Sequence, residues 1–287
     1  MTTSPESTSL IAVTGASTGM GAATARELAA RGHHVLAGVR READGAELAS
    51  DRIRPVILDI TASDQIADLA SLIEADGRPL RALVNNAGIA VNAPVEVLPI
   101  AEWRRQFDVN FFGHIEVTQA LLPALLRSRG RVVMMSSLGG RLAQPTYGAY
   151  SGSKFALEAV SDSLRRELAP HGVTVAIVEP GAVRTEMVGR GGVTARRLSA
   201  GMTPEQDRRY GGLMHAILTQ SEGFLRDGVD ASAAAKTIAD AATSRRPKTR
   251  YTIGRDAALL TRLARILPDR TLDRVLASAL RPLHPKR

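Results

Sequence analysis

From Leu10 onward the chain alternates short β-branched apolar runs with longer amphipathic segments, and this rhythm restricts the fold more than any other feature. The runs are LIAVT (10–14), HVLAGV (34–39), RPVILDI (54–60), RALVNN (81–86), GRVVMMSS (130–137) and VTVAIVEPG (173–181), with a shorter RYTIG (250–254) closing the series. Each is nearly continuous in hydrophobicity, as parallel strands covered on both faces must be. Between them lie helical patterns. GAATARELAARG stops at Gly32, SDQIADLASLIEADG opens on Ser63 as a candidate cap, and the long stretch over 101–130 has room for an internal irregularity. The alternation predicts an α/β fold: a doubly wound parallel sheet of the Rossmann type, in a three-layer α/β/α sandwich. No repeat or linker divides the pattern. One domain is therefore expected over 10–254, preceded by a disordered tail over 1–9.

Two segments depart from the rhythm. Residues 186–228 are rich in glycine and arginine and contain no convincing strand. They read as an irregular insertion after the sixth strand, placed to cover the end of the sheet where ligands bind. Residues 255–287 hold two amphipathic stretches split by Pro268, the second with Leu272, Val275, Leu276, Ala279, Leu280 and Leu283 at helical spacing on one face. Packing on the domain or on a partner subunit is the favoured reading for that stripe. Contact with an anionic membrane surface is the weaker alternative, suited by the arginines on the opposite face.

Composition removes several classes of chemistry. There is no cysteine, so disulfides, thiolate nucleophiles and cysteine metal sites are excluded. The six histidines are scattered without ligand spacing, and no metal is expected. The net charge of +8 comes from arginines spread along the chain, with aromatics at 3%, so nucleic acid is not an expected partner. No apolar run is long enough to span a membrane and residues 1–9 lack the regions of a signal peptide, which predicts a cytoplasmic protein.

After the first strand comes TGASTGMG (14–21). Its glycines at 15, 19 and 21 allow a tight turn, close approach of backbone to phosphate and close packing of the next helix, whose amino terminus attracts a pyrophosphate. The second strand carries Gly38 where NAD-binding proteins of this architecture place a ribose-binding acid, and Arg40 and Arg41 follow. A missing carboxylate beside guanidinium groups suits a ribose phosphate, so NADP(H) is preferred over NAD(H).

The chain has only four lysines against 33 arginines, yet a lysine stands at 154, four residues after Tyr150 in YSGSK. That spacing puts both on one helix face. An ammonium there is expected to lower the phenol pKa, and its compact charge suits both a phenol and a cofactor hydroxyl. Ser137, at the end of the fifth strand, offers a hydroxyl to a substrate oxygen. Asn110, a poor helix former inside the long helical stretch, predicts a local distortion.

With these motifs the sequence resembles the short-chain dehydrogenase/reductase family in its compact single-domain branch. The resemblance covers about residues 9–245 and rests on TGASTGMG, Asp59 in LDIT, NNAG (85–88), VNFFG (109–113), Ser137, YSGSK (150–154) and PGAVRT (180–185). The resemblance implies that Tyr150 is the catalytic acid/base, that Lys154 binds the nicotinamide ribose, that Ser137 positions the substrate oxygen and that Asn110 holds a water in a proton relay. It further implies that Gly15, Ser17, Thr18, Gly19, Met20 and Gly21 line the pyrophosphate and adenosine ribose, that Asp59 and Ile60 flank the adenine, and that Asn86, Ala87 and Gly88 line the linking region. Pro180, Gly181, Val183 and Thr185 hold the nicotinamide end. Thr18 stands where some NADP-dependent members carry a basic residue, which leaves Arg40 as the main phosphate anchor. VLAGVRREADGAEL and the long tail are similar to steroid and retinol dehydrogenase-like members, implying a lipophilic carbonyl or alcohol substrate, with selectivity in 138–147 and 186–228. A homodimer or homotetramer built on the 103–127 and 150–169 helices is also implied. Two alternatives remain: a non-catalytic nucleotide-binding regulator on the same fold, and a sugar-nucleotide epimerase or dehydratase of the extended branch. The complete Asn110, Ser137, Tyr150, Lys154 set argues against the first, and the glycine spacing and short carboxyl-terminal part against the second.

Overall fold

Seven parallel strands form one sheet in the order β3-β2-β1-β4-β5-β6-β7, in a computed structural model that describes residues 9–285. The strands are β1 Leu10–Val13, β2 His34–Val39, β3 Ile53–Ile57, β4 Leu80–Asn85, β5 Arg131–Met135, β6 Thr174–Pro180 and β7 Arg250–Ile253. They start and stop within a few residues of the expected runs. The chain builds outward from β1 in one direction and then, from β4, in the other, so a crevice opens at the carboxyl ends between β1 and β4.

Helices cover both faces. On one, α1 (Gly19–Ala30) and α9 (Ala231–Thr243) bury Ala25, Leu28, Ala234 and Ile238 against Val13, Val84 and Val133. On the other, α3 (Ser63–Asp76), α5 (Gly113–Ser128) and α6 (Gly148–Leu168) bury Ile66, Leu69, Leu121, Leu125 and Leu157 against Leu83, Val132 and Met134. The short α2 (Glu42–Ala46) follows β2, and α4 (Ile100–Phe107) leads into α5. Alternate strand residues feed opposite layers, which is why the runs are apolar throughout. Between α4 and α5 the chain widens into a π turn over Asp108–Phe112, with Asn110 buried at its centre. This is the distortion that the asparagine predicts.

Two local expectations are corrected. Ser63 is the first residue of α3, not its cap; Ala62 occupies the cap position and no side chain caps the helix. Residues 186–228 are not irregular but form two antiparallel helices, α7 (Glu186–Ala200) and α8 (Pro204–Asp227). Glycines within α7 lower its propensity, but Gly191 has a packing reason: a Cβ there would lie 3.0 Å from the Ala90 carbonyl. The start of α8 is a capping box, in which Thr203 Oγ1 accepts from the Gln206 N–H and Gln206 Oε1 accepts from the Thr203 N–H, with Pro204 at the first position. That signature stands in the sequence as TPEQ.

The carboxyl-terminal stretches are helices α10 (Arg255–Ile266) and α11 (Asp269–Leu280). Leu280 is buried and Leu272, Leu276 and Leu283 are half-buried, with α11 and the turn after it contacting α8. Among the described residues no helix is long and apolar enough to cross a membrane. The amino-terminal tail lies outside the described residues, apart from Ser9.

Candidate active site

The turn after β1 is locked to β4 by hydrogen bonds that the spacing of its glycines makes room for. Gly15 has φ of +62°, which a side chain would strain. A Cβ on Gly21 would sit 2.3 Å from the Gly15 carbonyl oxygen and 2.5 Å from Asn86 Nδ2. Into that space Asn86 Nδ2 donates to the Thr14 and Gly15 carbonyls, both at 3.0 Å. Thr14 Oγ1 accepts from the Asn86 and Ala87 N–H groups at 2.9 and 3.0 Å. Thr14 is not among the expected site residues, although it opens the glycine motif.

A cavity of about 350 Å³ lies over this turn at the amino terminus of α1. Gly15, Ser17, Thr18, Gly19, Met20, Gly21, Arg40, Asp59, Ile60, Asn86, Ala87, Gly88 and Thr185 all line it. Asp59 is oriented by Thr61, whose N–H and hydroxyl both donate to Oδ1. Of the two arginines after β2 only Arg40 faces the cavity. Arg41 is committed to Asp44 through bonds of 3.0 and 2.7 Å, whereas Arg40 makes no hydrogen bond among the described residues. Gly38 is enclosed within β2, where a Cβ would press on Leu58 at 2.9 Å. Arg190, from α7, lines the same cavity and is not among the expected residues, because nothing local in the sequence aims a helical arginine back at the turn.

A second cavity, of about 240 Å³, adjoins the first and shares Met20, Asn86, Gly88, Ile89, Thr185 and Met187 with it. Ser137, Tyr150, Lys154, Pro180, Gly181 and Val183 line it. Ser137 follows β5 and caps a short turn, its Oγ accepting from the Gly139 N–H at 3.0 Å. It also lies beside the Tyr150 hydroxyl and pulls that pKa down, but burial dominates and pushes the phenol up. This differs from the expectation that Lys154 lowers it. The lysine Nζ instead donates to the Met135 carbonyl at 2.7 Å, and the phenol is enclosed where water does not stabilise its anion. Of the expected residues Asn110 alone lines neither cavity. Its side chain is fully engaged, Oδ1 accepting from the Ile89 N–H at 2.9 Å and Nδ2 donating to the Ile89 carbonyl at 2.9 Å and Ser153 Oγ at 3.3 Å. It fastens the π turn to the loop after β4 and to α6.

Behind Lys154 lies a cluster of charges shared by four elements. Arg250 of β7 meets Glu158 and Asp162 of α6 at 2.9 and 3.1 Å and Glu179 of β6 at 3.2 Å. Arg141, from the turn after Ser137, lies 3.7 Å from Glu158 and 3.6 Å from Glu179. Burial, then the neighbouring Glu158, pushes the Glu179 carboxyl up.

Burial pushes Lys154 down to about 8, opposed by Glu158. A depressed folded-state pKa means the folded protein resists holding this proton, so the lysine costs stability below pH 8. That cost fades as pH rises toward the ordinary value of 10.5. Lys154→Met is therefore expected to be the more stable protein at pH 7, by roughly 3 kcal/mol. Calorimetry should show the advantage shrinking between pH 8 and pH 10; an advantage constant with pH would reject the assignment.

A glycine-built anion cradle at a helix amino terminus, open to a cavity that holds a tyrosine, a serine and a lysine, defines a nicotinamide-dependent oxidoreductase. The chain matches the family model "short chain dehydrogenase" over residues 9–192. It is 32% identical over 283 residues to an NADPH-dependent 3-dehydrocapnine reductase of Ornithobacterium rhinotracheale, covering 94% of this chain and 97% of that one. It is 36% identical to human retinol dehydrogenase 5 over 287 residues, covering 96% and 90%. A solved short chain dehydrogenase from Burkholderia cenocepacia in complex with NADP superposes with a TM-score of 0.71 at 28% identity, covering 96% and 98%. The chain belongs to the short-chain dehydrogenase family.

Proposed function

We propose that this protein interconverts a ketone or aldehyde and an alcohol on an apolar substrate, uses NADP(H) in preference to NAD(H), and employs Tyr150 as the general acid/base. The observation that carries this reading is the convergence of Tyr150, Ser137 and Lys154 on a cavity continuous with the dinucleotide cradle. The cradle fits its ligand: glycines at 15, 19 and 21 let the turn close tightly on its neighbours along the cavity, and α1 presents free N–H groups there. Gly15, Ser17, Thr18, Gly19, Met20, Gly21 and Arg40 would hold the phosphates and adenosine ribose, Asp59 and Ile60 the adenine, Asn86, Ala87 and Gly88 the middle. Lys154, Pro180, Gly181, Val183 and Thr185 would hold the reacting end.

When bound, a nicotinamide supplies or accepts the hydride. The protein's own part is the proton. Ser137 orients the substrate oxygen, and Tyr150 gives that oxygen a proton in reduction or removes one in oxidation. Burial keeps the phenol in the protonated form that donates in reduction. Lys154, charged below about pH 8, would hold a hydroxyl of the nicotinamide ribose next to the phenol. The substrate's apolar body is supported by a wall that includes Leu138, Leu142, Ile217, Phe224 and Leu260. The two named relatives, a reductase and a retinol dehydrogenase, fall in the same class. Phe112 and Phe155, exposed near the 103–127 and 150–169 helices, support pairing of two copies there.

The cofactor preference is tested through Arg40. Wild-type protein is expected to have the higher kcat/KM with NADPH. Arg40→Met should lose about 10- to 100-fold with NADPH, the scale of one charge-assisted hydrogen bond, while NADH efficiency changes by less than about threefold. Equal wild-type efficiency with the two nucleotides would remove the preference.

A further inference from the structure

Besides Ser137, Tyr150 and Lys154, the largely apolar wall of the substrate cavity carries several polar side chains, among them a cluster beside Tyr150. Asn92 from the loop after β4, Tyr147 at the cap of α6, and Gln220 and Ser221 from α8 contribute it, from three separate parts of the chain. The Tyr147 and Tyr150 rings lie 6.1 Å apart, centroid to centroid. Burial pushes the Tyr147 phenol up, and the nearby Ser221 and Asn92 side chains pull it down, which places both beside its hydroxyl. Asn92 Oδ1 and Gln220 Oε1 are buried acceptors that have no hydrogen-bond partner among the described residues, as is also true of Ser136 Oγ and Ser151 Oγ on the same wall. Buried polar atoms in a folded protein are nearly always paired, so two unpaired acceptors in one cavity wall call for a ligand.

The backbone points the same way. Thr146, a β-branched residue, has φ of +68°, a conformation that such residues rarely adopt. Its carbonyl accepts from the Ala93 N–H at 3.0 Å, which ties the segment carrying Asn92 to the one carrying Tyr147. Strain of this kind persists where the surroundings over-determine it, and ligand clamps are a common place. Charge then limits what the ligand can be. Among the described residues lining the cavity, Tyr147, Tyr150 and Lys154 are the only ionisable ones. A substrate ammonium would be buried near Lys154 without a counter-ion, whereas a hydroxyl supplies a donor with no charge to desolvate.

We propose that Asn92, Tyr147 and Gln220 form a polar subsite that binds a hydroxyl on the substrate, a few carbons from the reacting carbon, so that the preferred substrate is an uncharged hydroxy-ketone or the corresponding diol on an apolar chain. The proposal rests on the carbonyl chemistry assigned above and adds the identity of the second functional group.

The test uses matched probes: decan-2-one, 1-hydroxydecan-2-one, 4-hydroxydecan-2-one and 4-aminodecan-2-one, each with NADPH and the full chain. At least one hydroxy-ketone is expected to exceed decan-2-one in kcat/KM by about tenfold or more, the discrimination of a site built to bond a hydroxyl. In Asn92→Leu and, separately, Gln220→Met that ratio should fall to within about twofold of unity. A general loss of structure would lower both rates and leave the ratio alone. The proposal is overturned if no hydroxy-ketone is preferred, if the preference survives in both variants, or if the amino-ketone is the best of the four. Binding tests the subsite without turnover. Titration of the NADPH-loaded protein with decan-2-ol and with decane-1,2-diol and decane-2,4-diol should show a diol binding about tenfold more tightly, and equal binding of all three overturns the subsite. Should no ketone be reduced with either nucleotide, the carbonyl reading fails while the diol titration still decides whether the subsite exists.

Discussion

Tyr150→Phe is expected to lower kcat about a thousandfold on every accepted ketone, within the range that a positioned general acid contributes. The exchange removes one oxygen and keeps the ring. That ring is packed tightly, since a Cβ on Gly139 would lie 2.9 Å from its Cε1, and phenylalanine fills the same space. Ser137 Oγ retains the Gly139 N–H, so no turn is lost with the phenol. NADPH affinity, followed by nucleotide fluorescence, should therefore hold within a few-fold while single-turnover hydride transfer collapses. Reduction surviving within about fivefold of wild type would mean that the proton comes from elsewhere.

Arg250→Met should be the most damaging substitution away from the cavities. It leaves Glu158 and Glu179, both buried, with Arg141 at 3.6 to 3.7 Å as their one remaining ion-pair partner among the described residues, while Lys154 also acts on Glu158. Removing one partner from a buried ionic cluster leaves uncompensated charge, and a cost of about 3 kcal/mol is expected for this partly exposed arginine, or several degrees in Tm. The pH dependence identifies the cause. Glu179 has a raised pKa in the folded state, so the folded protein takes up its proton more readily than the unfolded chain. Stability tied to this group is present at low pH and is lost as pH rises through the raised value. The deficit of the variant relative to wild type should accordingly be smaller at pH 5 than at pH 8 in matched thermal melts. A deficit independent of pH, or none, would show that the cluster does not brace the fold.

The parts of the molecule that can be read from its residues are those specified over short distances along the chain. Strand runs, the helix between Gly19 and Ala30, the glycine turn and the Tyr150, Lys154 pair all depend on spacings of a few residues. The π turn is legible for the same reason, since Asn110 interrupts an otherwise regular helical pattern. Helices α7 and α8 are obscured by glycines that weaken the helical signal, and the TPEQ box that begins α8 carries more information than composition does. Arg190 and Gln220 acquire their positions only when α7 and α8 fold back over the crevice, and Asn92 when its loop is tied to the segment before α6, neither of which local spacing encodes. The direction of the Tyr150 shift goes the other way for an energetic reason. Proximity of an ammonium is visible in a sequence, whereas the extent of desolvation is set by everything packed around the ring; here burial outweighs the pull of Ser137, and Lys154 is turned to the Met135 carbonyl.

The two cavities meet along a seam of six shared residues, Met20, Asn86, Gly88, Ile89, Thr185 and Met187. The nucleotide side of that seam is built around the turn glycines and the strand ends, with Arg105, Asp108, Glu186 and Arg190 added from helices. Much of the substrate side consists of side chains from α7, α8, α10 and the turn before α6. A lineage of such proteins can therefore exchange one substrate for another by altering residues such as Gln220, Phe224 or Leu260 while the nucleotide half stays as it is. Changes along the seam itself are answerable to both ligands at once, and these six positions are where adaptation to a new substrate should be slowest.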